Sequence, residues 1–445
     1  MFEYRHSVSL ESDKCKGCTN CLKRCPTEAI RIRFGHAVIK SERCIDCGEC
    51  IRVCPYHAKK ALYDRFESLN EYKYKIALPA PALYGQFDNL DDLDYVLTGL
   101  LDCGFDSVFE VARAAEIISE YTRRYIREGN VKKPIISSAC PAVVRLISAR
   151  FPSLCEHVLP MLPPVELAAR MAKREAMQEH PELDEHDIGV FFISPCPAKV
   201  SYVRNPIGVS ETAIDGVLSM SDTYFKLVSA MNKIKTPQSL SKTGIIGISW
   251  AGTGGEAAAL FNDKYLAADG IENVIKVLDE MENDQISGIE FIELNACNGG
   301  CVGGALTVEN PYIAKARLQN LRRYLPVSQN YITNAVNISD HSKVPADVMW
   351  DKELEYSPVF QLSKNAGEAI RKMSEIQKIY PKFPHLDCGS CGAPSCRALA
   401  EDIVNKEAEE SDCIINMRDE LKKYYKMFDT SRDKTGTDEN NSENK

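Results

Sequence analysis

Nowhere in its 445 residues does the chain hold an uninterrupted apolar run near the roughly 20 residues that a membrane-crossing helix needs, so no spanning segment is expected. It opens MFEYRHSVSLESDKC, without an apolar stretch ahead of the first cysteine, so no secretory leader is expected either. No basic run offsets the net charge of −9, which argues against nucleic acid as a partner. Histidine is scarce at 8 residues; His57 and His385 fall near cysteine clusters, and a surface position is expected for both. Cysteine is the exception, at 18 residues. In the reducing cytoplasm that these absences point to, clustered cysteines read as metal ligands and not as disulfides. The length allows two to four domains and a central core that needs no crosslinks.

Two of the clusters are regular. Cys15-x2-Cys18-x2-Cys21-x3-Cys25-Pro26 is followed by Cys44-x2-Cys47-x2-Cys50-x3-Cys54-Pro55. This is the two-cluster bacterial ferredoxin pattern, in which the fourth cysteine of each run serves the other cluster. Cys15, Cys18, Cys21 and Cys54 are therefore assigned to one [4Fe–4S] cube, and Cys44, Cys47, Cys50 and Cys25 to the second. Gly17 and Gly48 are expected to let the backbone approach the sulfides. Zinc also accepts Cys-x2-Cys, but two complete four-cysteine runs, eight cysteines in all, with both prolines favour iron. Near the other end, Cys388, Cys391, Cys396 and Cys413 form a fourth-domain candidate, with 397–408 as an amphipathic helix returning Cys413 to the site. Four thiolates suit zinc as well as a cube, so both metals stay open there. The tail after about Asp429 is polar and is expected to be disordered.

Between about Tyr74 and Leu325, apolar runs alternate with helical periods. The runs 75–81, 134–141, 188–197, 243–249 and 288–297 read as buried strands, and 142–151 and 271–281 as helices. That alternation predicts an α/β domain with mainly parallel sheets flanked by helices. Cys140, Cys196, Cys297 and Cys301 fall at or just after strand C-termini, where such folds gather their sites. Cys103 and Cys155 have no partner at ligand spacing and read as ordinary buried thiols.

The segments SSACPAVVR (137–145), FFISPCPAKV (191–200) and ELNACNGGCVGG (293–304) resemble the three signature loops of [FeFe]-hydrogenases. With the double ferredoxin run in front, the resemblance covers about 300 residues. It implies that Cys140, Cys196, Cys297 and Cys301 hold a cube, with Cys301 bridging to a two-iron subcluster that carries CO, cyanide and an azadithiolate bridge. Lys199 matches the lysine that hydrogen-bonds one cyanide, and Ala80-Pro81 the turn that lines the other. Four [4Fe–4S] clusters in all are implied, together with maturation proteins that build the two-iron site. The implied layout is a ferredoxin-like domain at 1–72, the catalytic domain at 73–345, a helical linker at 346–383, a small [4Fe–4S] domain at 384–427 and a tail at 428–445.

The departures from that family are specific. Ala139 stands where catalytic members carry a proton-relaying cysteine, and a methyl group cannot carry a proton. Ser194 and Asn295 replace methionines beside the cluster, and Thr122 and Tyr125 stand where relatives place glutamates. Glu256, in the first turn after the loop 250–255, has two readings: a solvated helix-start acid, which is the ordinary one, or a substitute proton carrier. These changes resemble the sensory [FeFe]-hydrogenases and imply slow, reversible 2H⁺ + 2e⁻ ⇌ H₂. Electrons would pass through the cubes to a redox partner or a downstream signalling protein. The alternative is a non-catalytic iron–sulfur protein, an assembly factor or electron carrier without the two-iron site. The oligomeric state is left open.

Overall fold

A computed structural model describes residues 6–129, 131–330, 344–359, 361–363 and 365–435, with side chains described to Met427. The chain forms two compact units: Met1–Glu11, Cys44–Arg52 and Lys59–Val359 make one, and Ser12–Arg43, Val53–Ala58 and Phe360–Lys445 the other. The larger unit is a mixed α/β body built on two parallel sheets. The strands of these sheets are β1 (Tyr74–Pro79), β2 (Ser107–Val108), β3 (Ile135–Ile136), β4 (Ile188–Ser194), β5 (Gly216–Ser219), β6 (Tyr265–Asp269) and β7 (Phe291–Asn295), and an antiparallel pair, Val8–Leu10 with Lys59–Ala61, completes the unit. One sheet has the order β2-β1-β4-β5 and the other β6-β7-β3, with every pair parallel.

The run IGVFFIS explains why β4 is central: all seven residues are buried, as a strand covered by helices on both faces requires. Register Ile76↔Val190 and Phe192↔Val217 stacks apolar side chains across the first sheet. Within each sheet the strands share a direction, so their C-terminal ends open on one edge of that sheet. There β1 runs into Ala80-Pro81, β3 into Ser137–Cys140, β4 into Pro195-Cys196 and β7 into Ala296-Cys297. The sequence places four of the five expected strands correctly. The exception is 243–249, where Ile245–Ser249 is a helix. A short apolar run fits a buried helix as well as a buried strand. Gly247 lets this helix pack closely, because a Cβ on it would lie 2.3 Å from the carbonyl oxygen of Ala112 on the helix Val111–Arg127.

The smaller unit joins the hairpin Ile30–Arg33/His36–Ile39 to the C-terminal cysteine segment. Ile32 N donates to Gly392 O at 2.8 Å. Fully buried Asp402, on the helix Cys396–Val404, takes Arg31 Nε at 2.6 Å, Arg33 Nη2 at 2.6 Å and Lys40 Nζ at 2.8 Å. Burial opposes the Asp402 carboxylate, yet Arg31 and Lys40 hold it below the usual range. Removing it strands Arg31, whose side chain is 2% exposed. Asp402→Ala should therefore destabilise this unit by about 3–5 kcal/mol, read as lost hydrogen-exchange protection of the hairpin in urea. The depressed carboxylate contributes stability above its unfolded value of about 4, and that share is lost as pH falls through the folded value. In Asp402→Ala the acid-induced loss of protection should flatten correspondingly.

The helix Ile414–Thr435 runs into the tail expected to be disordered, and 436–445 lie outside the described residues. No helix among the described residues is long and apolar enough to cross a membrane.

Candidate metal centre

The Cys-Pro pairs set the local geometry. Cys140 and Cys196 are extended residues immediately before the helices Pro141–Arg150 and Pro197–Arg204, each opened by a proline whose fixed φ suits the first helical position. Each cysteine thus caps a helix N-terminus. Cys297 follows β7, and Cys301 opens the turn Cys301–Gly303. The four thiols interact electrostatically around Lys199. Burial pushes the Cys196 thiol up to about 12 and Cys301 up to about 11, and Lys199 opposes both shifts. Burial also works against the Lys199 ammonium, but Cys301, Cys196, Cys140 and Cys297 together hold it protonated. Four thiols, Cys297 buried and Cys140, Cys196 and Cys301 half-buried, with one ammonium among them form a donor set suited to a cationic cluster.

Beside Cys301 lies a cavity of about 60 Å³. Ala80, Pro81, Ala139, Lys199, Glu256, Asn295 and Cys301 all line it, so the fold brings together residues from every signature segment. Lys199 Nζ donates to Ala139 O at 3.3 Å. Ser194 is not part of the lining: its hydroxyl closes its own loop, donating to Cys196 O at 3.0 Å and accepting from Cys196 N at 3.2 Å. Thr122 is also turned away, its Oγ1 donating to Ile118 O at 2.9 Å. Tyr125 does not line the cavity.

Glu256 is not solvated. It is 5% exposed, and Ser137 Oγ donates to its Oε2 at 2.7 Å. The helix Gly255–Ala258 turns its first-turn acid into the cavity, which overturns the ordinary reading of that position. Beside it the structure adds a residue that sequence reasoning missed, Glu293 of β7, which also lines the cavity. A charge inside the parallel strand FIELN was the available signal, because such strands are apolar throughout. Glu293 accepts from Gly254 N, Ala257 N and Asn295 Nδ2, each at 2.9 Å. Burial raises both carboxyls, and for Glu256 the neighbouring Glu293 adds to the rise. Hydrogen bonds from Gly254, Ala257 and Asn295 work against that rise at Glu293, and the one from Ser137 works against it at Glu256.

The ferredoxin-like cysteines show matched local geometry. Cys25 Sγ accepts from Ala29 N at 3.2 Å and Cys54 Sγ from Ala58 N at 3.3 Å, with Glu28 and His57 both at φ 50° to turn the amide back. Cys15 Sγ accepts from Ala37 N at 3.4 Å. Gly17 and Gly48 have φ of 62° and 74°. Within the protein, a Cβ at Gly17 would meet Gly35 O at 2.7 Å, and one at Gly48 the Ala305 side chain at 2.8 Å. In the C-terminal segment Cys396 and Cys413 are buried, Cys391 is half-buried and Cys388 exposed. Cys396 N donates to Asp387 Oδ1 at 2.6 Å. His57 and His385 are exposed, as expected, and Cys103 and Cys155 are half-buried thiols raised by burial. A zinc ion would draw four sulfurs to about 3.8 Å from one another. Among the described residues the donor group within 4.8 Å is His6, Cys44 and Asp46, which is none of the four-cysteine sets.

Residues 73–239 and 252–305 match the family described as iron only hydrogenase large subunit, C-terminal domain. The chain belongs to an [FeFe]-hydrogenase-like family. Residues 7–55 match a 4Fe-4S dicluster domain, and 383–415 an Fe-S cluster family, so this hydrogenase-like chain carries iron–sulfur domains on either side of the matched region. It is 27% identical over 363 residues to the periplasmic [Fe] hydrogenase large subunit of Nitratidesulfovibrio vulgaris, covering 67% of this chain and 86% of that one. An uncharacterized protein of Methanocaldococcus jannaschii, MJ0119, is 33% identical over 57 residues, covering 13% of this chain and 25% of that one. A variant of [FeFe]-hydrogenase HydA1 from Chlamydomonas reinhardtii aligns at 15% identity and TM-score 0.47, over 64% of this chain and 95% of that one. At the family level the chain is an oxidoreductase.

Proposed function

We propose that this chain catalyses 2H⁺ + 2e⁻ ⇌ H₂ slowly, and that it reports hydrogen or redox level to a separate redox or signalling partner instead of sustaining a flux. The observation that carries the reading is the convergence of Lys199, Glu256 and Cys301 on one small cavity at Ala139. The residues fit the cluster expected of the family: Cys140, Cys196, Cys297 and Cys301 would hold a [4Fe–4S] cube, with Cys301 as the link to a two-iron subcluster with CO, cyanide and azadithiolate. When bound, that group supplies the iron and amine at which protons and electrons combine.

What the chain itself contributes can be read from its side chains. Lys199 offers up to three N–H donors and a positive charge, suited to a cyanide nitrogen. Ala80 and Pro81 shape the apolar part of the lining. The Ala139 methyl removes the usual first relay, and the protonated Glu256 places a carboxyl in the same cavity, with Ser137 fixing its orientation. A carboxylic acid held neutral by burial keeps its proton to higher pH than an exposed acid, but releases it less readily. Slow turnover follows. The double ferredoxin cubes and the C-terminal cube would carry electrons to the partner.

The test is hydrogen–deuterium exchange by the full chain, loaded with all its clusters and placed under H₂ in D₂O. A slow but measurable formation of HD is expected. Complete absence of HD with the clusters in place contradicts the assignment.

A further inference from the structure

Arg52 ends the short helix Glu49–Arg52, two residues after Cys50 and five after Cys47. Its guanidinium reaches out of the cysteine run, and Nη1 donates to Cys297 Sγ at 3.3 Å. Glu49 holds the other edge, accepting from Nε at 3.2 Å and Nη2 at 2.7 Å. The clamp is largely withdrawn from water, with the Arg52 side chain 23% exposed and that of Glu49 12%. One rigid cation thus stands between a sulfur of the four-cysteine centre and the segment bearing Cys47 and Cys50. Its electrostatic partners agree with this placement: burial opposes the charge, whereas Cys297, Glu49 and Cys47 all favour it. In return, Arg52 opposes the upward push of burial on Cys297.

A hydrogen bond and a positive charge at a ligand sulfur stabilise the more negative, reduced state of an iron–sulfur cube. Arginine suits this task better than lysine, because its planar fork binds Glu49 with one edge and still presents an N–H to sulfur with the other. We propose that Arg52 is a redox-positioning residue, raising the reduction potential of the cube at Cys140, Cys196, Cys297 and Cys301. It thereby draws single electrons into that cube from the one served by Cys44, Cys47 and Cys50. One electron leaves the ferredoxin-type cube and one arrives in the other; no bond to protein changes and no proton is required. The assignment rests on the reading that the four central cysteines hold a cube.

The experiment is an EPR-monitored potentiometric titration of the full chain loaded with cubes, with iron and sulfide content measured for every variant. The signal of the central cube is the one lost in Cys196→Ala. At the wild-type midpoint, Arg52→Gln should lower the ratio of reduced to oxidised central cube at least tenfold, which is about 59 mV for a one-electron couple. Arg52→Lys should give a smaller shift of the same sign. Glu49→Gln leaves the Arg52 charge uncompensated and should move the midpoint the opposite way, an arm that decides the matter if Arg52→Gln fails to load. An unchanged central midpoint in fully loaded Arg52→Gln, or an equal shift of every cube, overturns the role of Arg52. A wild-type chain with no signal sensitive to Cys196→Ala overturns the underlying cube assignment instead.

Discussion

Replacing Glu256 with Gln is expected to lower hydrogen turnover by about 10²–10⁴-fold, the usual contribution of a positioned acid or base, with cluster content unchanged. Gln keeps the size of the side chain and can still accept from Ser137 Oγ, which lies 2.7 Å from the carboxylate in the parent, so the cavity wall should survive. What disappears is the only function that the raised carboxyl supplies, a proton held in the cavity at neutral pH. In the parent chain, proton reduction should weaken as pH rises through the elevated value of the Glu256–Glu293 pair, because the donor form is then lost. The Gln variant should lose that alkaline limb. Adding Ala139→Cys to it should restore part of the turnover, since a thiol at that wall returns a titratable group to the cavity. Hydrogen evolution from a reduced dye at several pH values measures all three. An unaltered rate in Glu256→Gln would mean that protons arrive by a route that avoids this carboxyl.

Lys199→Met should remove the second essential feature. Lys199 stands among four thiols that together keep it protonated against burial. Truncating one partner of a buried charge cluster costs about 3–5 kcal/mol, because the remaining charges lose their counterion. Spent on retention of an anionic two-iron group, 3 kcal/mol is somewhat over a hundredfold in affinity. The expected result is a chain that keeps its cubes, read by iron content and EPR, but loses the infrared bands of iron-bound CO and cyanide after maturation. Persistence of those bands at parental intensity would show that Lys199 does not hold the group.

The cysteine runs near the N-terminus were legible because Cys-x2-Cys-x2-Cys-x3-Cys-Pro needs no tertiary knowledge, whereas Cys140, Cys196, Cys297 and Cys301 were grouped by the resemblance of their loops and by their place at or after the ends of apolar runs. The parallel sheets were legible from their apolar runs, as in the unbroken IGVFFIS of β4. What the sequence hides is pairing across long separations. Ser137 meets Glu256 from 119 residues away, and Arg52 meets Cys297 from 245. The position of Glu256 also misleads by its local context, since a first-turn acid is ordinarily exposed, and only the fold shows it turned inward. The helix Ile245–Ser249 was hidden by length: five residues are too few for a period to declare itself.

The departures from the family pattern take on a different weight in three dimensions. Ala139, Lys199, Glu256 and Asn295 share one cavity, whereas Ser194 braces its own loop. Asn295 does not simply make the pocket more polar; its amide donates to Glu293 and works against the rise that burial imposes on that carboxyl. On the proposed function, alanine at position 139 and the buried acid pair in the same cavity would act together as one change in proton handling.

The most direct test of the central claim is the infrared spectrum of the full chain after maturation of the two-iron site. With the cubes fully loaded, bands from iron-bound CO and cyanide are predicted, and they should disappear in Cys196→Ala. Full cube content without any such bands would contradict the account and leave the four central cysteines as the seat of an electron-carrying cube alone.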